Sequence, residues 1–85
     1  MDIDFDPDQD AANIAEHGVS LARAADFDPE VTVVDDRFEY GETRYRAFGL
    51  LDGLPHCLVF TTTERTVRAI SLRRAHVKEY RRDVP

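Results

Sequence analysis

The sequence lacks the features that mark exported and membrane-spanning proteins. Its single cysteine, Cys57, cannot form an intramolecular disulfide, and no apolar run approaches the roughly 20 residues that cross a bilayer. The acidic segment 1–6 has neither the basic nor the apolar region of a signal peptide. We therefore expect a cytoplasmic protein without a membrane partner, in which Cys57 is a small buried apolar side chain.

Cofactor and metal patterns are missing as well. No glycine loop of the phosphate-binding kind occurs, and neither His17 nor His76 has a second ligand at metal-binding spacing. A catalytic thiol at Cys57 is disfavoured because its neighbour His56 points to the opposite face of a strand. We expect no cofactor and no structural metal.

The length of 85 residues, 42% of them hydrophobic, is enough for one modest core. There is no linker, repeat or low-complexity stretch. The sequence therefore predicts a single domain, 1–85, and any function must lie on its surface.

Charge is distributed unevenly along the chain. Residues 1–42 carry 13 acidic and two basic side chains, a balance of −11, whereas residues 43–85 carry nine basic and four acidic side chains, a balance of +5. Either the acidic half screens the basic half, or the fold presents a positive face to a polyanion. The pattern leaves both alternatives open.

Helix signals dominate the first third of the chain. Asp6 and Pro7 are typical of a helix start, and Gly18 of a helix end, which predicts a helix over 7–17. Ser20 can cap a second helix that runs to residue 26. Ile3 and Phe5 alternate with aspartates, which indicates a short strand or an extended arm.

The remaining pattern changes to a period near two, which is typical of a sheet. We predict strands over 31–35, 44–51, 55–63 and 66–72, with tight turns at Asp52-Gly53 and Glu64-Arg65. A last helix follows over 73–82. The predicted fold is α+β: two N-terminal helices, a four-stranded antiparallel meander and a C-terminal helix.

The second half contains a dense group of basic side chains. Seven fall within 18 residues: Arg65, Arg68, Arg73, Arg74, Lys78, Arg81 and Arg82. Arginine offers a planar fork of donors that grips phosphate at two points, so the group suits an RNA backbone. The alternative is a solvated helix face paired with the acidic half of the chain.

Other candidates have plain structural alternatives. Arg44 and Arg46 share one strand face and Tyr45 the other, so an arginine could line a site or belong to a solvent-facing row. His17 fits a helix C-terminus, where many histidines only interact with the helix dipole. His76 could exchange a proton beside a phosphate, or simply lie on the surface.

Several separated motifs combine into a family resemblance. In chain order they are Phe5-Asp6-Pro7, Ala12-Asn13, His17-Gly18-Val19-Ser20, Ala24-Ala25, Phe27-Asp28-Pro29, Glu42-Thr43-Arg44-Tyr45 ending at Gly49, Thr63-Glu64-Arg65, and Arg68 to Ala75 with Glu79. Their order and spacing resemble the BrnT family over nearly the whole chain.

The resemblance implies a toxin of a type II toxin-antitoxin pair with a RelE-like ribonuclease fold. It further implies metal-independent RNA cleavage that blocks translation, acting on mRNA either free or on the ribosome. The implied partner is a BrnA-like ribbon-helix-helix antitoxin, through which alone the toxin would reach operator DNA.

The resemblance also implies site residues. Arg44, Arg65, Arg68 and Arg73 are expected to hold phosphate, with His17 or His76 as the proton-transfer group. Further RNA contacts are expected from Arg74, Lys78, Tyr45 and Tyr80, although packing is the alternative for both tyrosines.

Some residues depart from the family pattern. Gln9 and Glu16 stand near positions where members often carry lysine, and Tyr80 stands where a basic residue is common. A second hypothesis follows from these changes and from the net charge of −6: a degenerate or non-catalytic module that acts as an antitoxin-binding corepressor.

Overall fold

The computed structural model describes residues 2–37 and 39–84. These residues form five strands and three helical segments, one of which is a 3-10 helix. In order they are β1 (Asp2–Asp4), α1 (Pro7–His17), the 3-10 helix (Leu21–Asp26), β2 (Asp28–Asp35), β3 (Arg44–Leu51), β4 (Leu54–Thr62), β5 (Thr66–Arg74) and α2 (Val77–Asp83).

The strands form one mixed sheet in the order β1-β5-β4-β3-β2. β2 to β5 are an antiparallel meander, as predicted, but the predicted count of four strands is wrong. β1 adds a fifth strand, parallel to β5, with Ile3 opposite Val67. Parallel neighbours require a long crossover connection, so no local sequence pattern reveals this pairing.

Local capping signals determine α1. The Asp6 carboxylate accepts hydrogen bonds from the backbone N–H of Asp8 (2.7 Å) and of Gln9 (3.3 Å). Gly18 ends the helix at φ 74°, and its N–H donates to the carbonyl of Ile14. The helix therefore has the predicted bounds.

The two other helical segments differ from the prediction. The segment capped by Ser20 is a 3-10 helix of six residues. The last helix begins at Val77 rather than at residue 73, because Arg73 and Arg74 continue β5 and pair with Cys57 and His56 of β4.

Both predicted tight turns are present. Asp52 and Gly53 have φ angles of 54° and 76°, the left-handed pair that a two-residue hairpin turn requires. At the turn of Glu64 and Arg65, the Thr63 N–H donates to the Thr66 carbonyl over 2.9 Å.

The sheet has two unlike faces. On the back face, the 3-10 helix buries Leu21 and Ala24 against a core completed by Leu51, Leu58, Ala69 and Leu72. On the front face, a smaller core of Phe48, Cys57 and Ala75 packs against Val31, Val33, Val59 and two residues at the α2 end of the chain, Tyr80 and Val84. Cys57 is fully buried, as expected.

One buried amide ties α1 to the sheet. The Asn13 side chain donates to the carbonyls of Val19 (2.8 Å) and Leu72 (2.9 Å) and accepts from the Leu72 N–H (3.1 Å). A buried amide whose hydrogen-bonding groups are all satisfied fixes the position of the helix that carries it.

No helix within residues 2–37 and 39–84 has the length and apolar character needed to cross a membrane.

Candidate functional site: an arginine cluster on the front face

Charged side chains from four separate elements and one loop converge on the front face. Alternation along β3 places Arg44 and Arg46 on the same side as Phe48, and the strand register sets Asp35 opposite Arg44. β5 contributes Arg73, which pairs with Cys57. Arg37, from the loop after β2, and Glu79, from α2, complete the group. We define the arginine cluster as six charged side chains: Arg37, Arg44, Arg46, Arg73, Asp35 and Glu79.

Asp35 is the buried anion of the cluster, with a side chain that is 0% exposed. Its carboxylate accepts from Arg37 Nε (2.7 Å) and Nη2 (2.9 Å) and from the Tyr40 hydroxyl (3.1 Å). The hydrogen bonds from Arg37 lower the pKa of Asp35 to about 2, although burial alone would raise it. Asp35 therefore remains ionised at neutral pH.

Arg46 is a largely buried cation with an unsatisfied donor. Its side chain is only 15% exposed, and its Nε lies 3.8 Å from Asp35 Oδ1, beyond hydrogen-bond range. The Nε atoms of Arg44 and Arg46 are both buried and find no acceptor among the described residues. Buried donor atoms that find no acceptor within the protein favour binding of an anion.

An aromatic ring lies close to the guanidinium group of each of the two β3 arginines. The Arg44 guanidinium lies 4.1 Å from the Tyr40 ring centroid, and that of Arg46 lies 5.9 Å from the Phe48 centroid. Both distances are within the range of cation–π attraction. The rings therefore help to hold the two cations in place.

Arg73 and Glu79 connect β5 to α2. Arg73 donates from Nη1 to Oε1 (2.6 Å) and from Nη2 to Oε2 (3.2 Å) of Glu79. Glu79 Oε1 also accepts from the His76 N–H at 2.9 Å. The Arg73 hydrogen bonds lower the pKa of Glu79 to about 2 against the opposing effect of burial.

The cluster has a net positive charge even when Glu42, whose Oε1 lies 3.7 Å from Arg44 Nε, is counted with it, because four guanidinium groups then face three carboxylates. Cys57 lies beneath it, and burial raises the pKa of its thiol even though Arg73 opposes the shift. The thiol is therefore protonated at neutral pH and is no nucleophile. Within residues 2–37 and 39–84, no three His, Cys, Asp or Glu side chains form a metal-binding group.

Two of the four predicted phosphate-holding arginines belong to the arginine cluster, on strands that are separated by β4. Arg44 and Arg73 lie in the arginine cluster. The strand register puts Arg68 on the same face but beside β1, where it donates to Asp4 over 2.7 Å. Arg65 is exposed in the β4–β5 turn.

The two predicted proton-transfer histidines lie in different places. His76 immediately precedes α2, and its backbone binds the same Glu79 oxygen as Arg73. His17 ends α1, which packs on β5 and the 3-10 helix on the other side of the sheet, and its Nε2 is 3.9 Å from Glu16. Of the two, only His76 is adjacent to the cluster.

The predicted RNA-binding residues are also dispersed. Arg74 and Lys78 are exposed. Tyr45 lies on the back face, where its ring stacks on Phe60 with centroids 5.5 Å apart. Tyr80 packs into the front core and its hydroxyl donates to Glu30, which raises the pKa of Tyr80 to about 12.

Four members of the cluster were not among the predicted site residues: Arg37, Arg46, Asp35 and Glu79, the last of which appeared only in the family motif. The two-residue spacing from Arg44 is the signal that could have found Arg46, since both side chains must share a face. Arg37 and Asp35 carry no comparable signal, because their pairing depends on the chain path after β2.

Comparisons with known proteins confirm the family resemblance. The chain matches the family described as "Ribonuclease toxin, BrnT, of type II toxin-antitoxin system" over residues 5–79. A crystal structure of the Brucella abortus ribonuclease toxin, BrnT, is 25% identical and superposes with a TM-score of 0.67, over 89% of this chain and 97% of that one. Comparison with curated proteins gives no match. The family match covers most of the chain, and the chain therefore belongs to the BrnT family of ribonuclease toxins of type II toxin-antitoxin systems.

Proposed function

We propose that this chain is a metal-independent endoribonuclease whose arginine cluster binds the scissile phosphate of RNA. The observation that carries the proposal is Arg46, a largely buried cation whose Nε has no acceptor among the described residues. Burying such a group is costly for the free protein. An anionic substrate that supplies the acceptor offsets that cost.

The cluster suits the charge that develops during RNA cleavage. The ribose 2′-oxygen attacks phosphorus, the bond to the 5′-oxygen breaks, and negative charge accumulates on the phosphoryl oxygens between these events. Fixed guanidinium groups on a partly desolvated surface stabilise that charge. Arg44 and Arg46 would bind the phosphoryl oxygens. Arg73 would also bind them once its N–H groups are released from Glu79.

Proton transfer is assigned to His76, because it lies beside the Arg73–Glu79 pair. A neutral imidazole would take the proton of the 2′-hydroxyl and return it to the leaving 5′-oxygen. Arg65, Arg68, Arg74 and Lys78 would bind flanking phosphates, where each contributes a salt-dependent increment to affinity.

The same arrangement supports metal independence as part of the proposal, since arginine charges could stabilise the phosphoryl oxygens as a metal cation would. Purified chain should cleave single-stranded RNA equally well with a chelator and with added Mg²⁺. Products that end in a 2′,3′-cyclic phosphate would identify the internal attack. Cleavage that the chelator abolishes would overturn this part of the proposal.

The proposed partner is a BrnA-like ribbon-helix-helix antitoxin, and the proposed outcome of RNA cleavage is arrest of translation. Support comes from the family, whose description is that of a type II toxin-antitoxin system. Inducible expression of the chain alone should arrest growth, and co-expression of an adjacent antitoxin gene should relieve the arrest.

A second candidate function is an antitoxin-binding corepressor without nuclease activity. It is favoured by carboxylates inside the cluster, because Glu79 occupies both terminal nitrogens of Arg73 and Asp35 holds Arg37. Growth without arrest, from chain shown to be folded, together with tighter operator binding by the antitoxin would support it. Chelator-resistant RNA cleavage would exclude it.

A further inference from the structure

The outer edge of β2 is open. β2 ends the sheet, and among the described residues β3 is the one strand that is hydrogen-bonded to it. Its centre, 31–34, consists of four consecutive β-branched residues, and Val34 at its end is 56% exposed. An apolar edge of this length is a template for one more strand.

An apolar groove crosses the back face and reaches this edge. Its volume is about 350 Å³, and its lining runs from Pro29 and Thr32 of β2 across Ala47, Leu58 and Phe60 to Val67 of β5 and Ile3 of β1. Thr32 lies both on the edge strand and in the groove wall. The side chains of an added strand that point to the back face would therefore lie against the mouth of the groove.

Negative charge surrounds the edge. Residues 28–36 contain four carboxylates and no cation, and three of these side chains belong to exposed residues: Asp28, Glu30 and Asp36. The fourth, Asp35, is neutralised by Arg37. The flanks of the apolar centre are therefore acidic at both ends.

This charge pattern excludes a second copy of the chain as the occupant. Two β2 edges paired antiparallel would set Asp28 of one copy near Asp36 of the other, and parallel pairing would set like residues side by side. Carboxylates in such positions repel across a strand pair. The opposite edge, β1, is only three residues long and carries Asp2 and Asp4.

We propose that β2 is the docking edge for a β-strand of a partner protein, one whose short apolar centre is flanked by basic residues. The partner's backbone extends the sheet beyond Val31–Asp35, its apolar side chains cover the groove mouth, and its cations face Asp28 and Asp36. The carboxylates that prevent pairing between copies thus select a basic strand. Identifying this partner with the antitoxin rests on the proposed function, whereas the docking itself does not.

The test is a titration of the ¹⁵N-labelled full chain with a synthetic peptide that has an alternating valine–threonine centre and two arginines at each end. Amide signals of Thr32, Val34 and Ala47 should shift, and the shifts should shrink as salt is added. A peptide with the same centre and glutamates at each end should leave these signals unmoved. Equal shifts with both peptides, or no shift at β2 with either, would overturn the proposal.

A pair of variants separates docking from the nuclease. Val34→Lys should lower the affinity for the arginine-flanked peptide by about tenfold. The substitution removes an apolar cross-strand contact, and the new cation repels the basic flanks of the peptide. The Val77→Lys variant, changed at a residue of α2 that is 59% exposed, should bind the same peptide with unchanged affinity. Neither residue belongs to the arginine cluster, so RNA cleavage should persist in both. Loss of peptide binding in both variants would contradict the site, and absence of RNA cleavage in the unmodified chain would contradict only the proposed function.

Discussion

Arg73 and Glu79 form a two-point ion pair that joins the last strand to the last helix, with N–O distances of 2.6 and 3.2 Å. Their side chains are 25% and 17% exposed, so the pair is shielded from most of the solvent. It orients α2 over the front core, and it also occupies donors that an RNA phosphate would use. Stability and substrate binding therefore compete for the same guanidinium group.

Glu79→Gln should consequently shift that competition towards RNA. We expect affinity for a short uncleavable RNA to rise roughly three- to tenfold, since one negative charge is lost and Arg73 is released. The free energy of unfolding should fall by about 1 to 3 kcal/mol. Fluorescence anisotropy and urea denaturation measure the two effects.

Glu16→Gln is the matched control, because it makes the same change on exposed α1. It should alter RNA affinity much less and stability hardly at all. If Glu79→Gln lowered RNA affinity in a folded protein, Glu79 would be assisting the site rather than competing with substrate.

Asp35 should make stability depend on acid pH. Its pKa is lowered from an ordinary value of 3.8 to about 2 in the folded chain. The unfolded chain binds the proton more tightly, so the stabilisation by the carboxylate is fully present above about pH 4 and is lost as the pH falls through about 2. Denaturation midpoints measured from pH 5 to pH 2 follow this loss.

Asp35→Asn should cost roughly 2 to 4 kcal/mol and flatten that part of the pH profile, because it leaves the buried Arg46 without a nearby anion. Asp36→Asn, at the exposed adjacent position, should do neither. An Asp35→Asn protein as stable as the original at pH 6 would contradict the role assigned to this carboxylate.

Asn13→Ala should destabilise the fold without changing any residue of the arginine cluster. It removes three hydrogen bonds and leaves backbone groups of Leu72 unsatisfied, at a cost of about 2 to 4 kcal/mol. Gln9→Ala, on the exposed side of the same helix, should change stability by less than about 0.5 kcal/mol. Equal stabilities in urea for the two variants would show that Asn13 is not the tie between α1 and β5.

Local signals allowed much of the fold to be predicted. The caps of α1 and the alternation in β3 are properties of neighbouring residues, and both elements have the predicted bounds. The parallel pairing of β1 with β5 is a contact between distant segments. The continuation of β5 through Arg74 likewise depends on its register with β4, which a run of arginines does not reveal.

The residues of the candidate site likewise fall into those that local signals predict and those that depend on contacts between distant segments. Arg44 and Arg73 could be singled out from motif and charge, but the sequence could not show which face of β3 becomes buried. That depends on where α2 packs and on how Arg37 returns to Asp35. From sequence alone, Arg46 could therefore not be distinguished from a solvated arginine in a row on the strand; the fold is what places it within the cluster.

The most direct measurement compares RNA cleavage by Arg46→Met and Arg23→Met in the presence of a chelator. Arg23 is the matched control, because it is paired with Asp26 and Asp52 away from the cluster. We predict that Arg46→Met lowers cleavage by about a hundredfold or more while its stability is unchanged or higher, and that Arg23→Met cleaves normally. Cleavage by folded Arg46→Met at the original rate would contradict the arginine cluster as the site of catalysis.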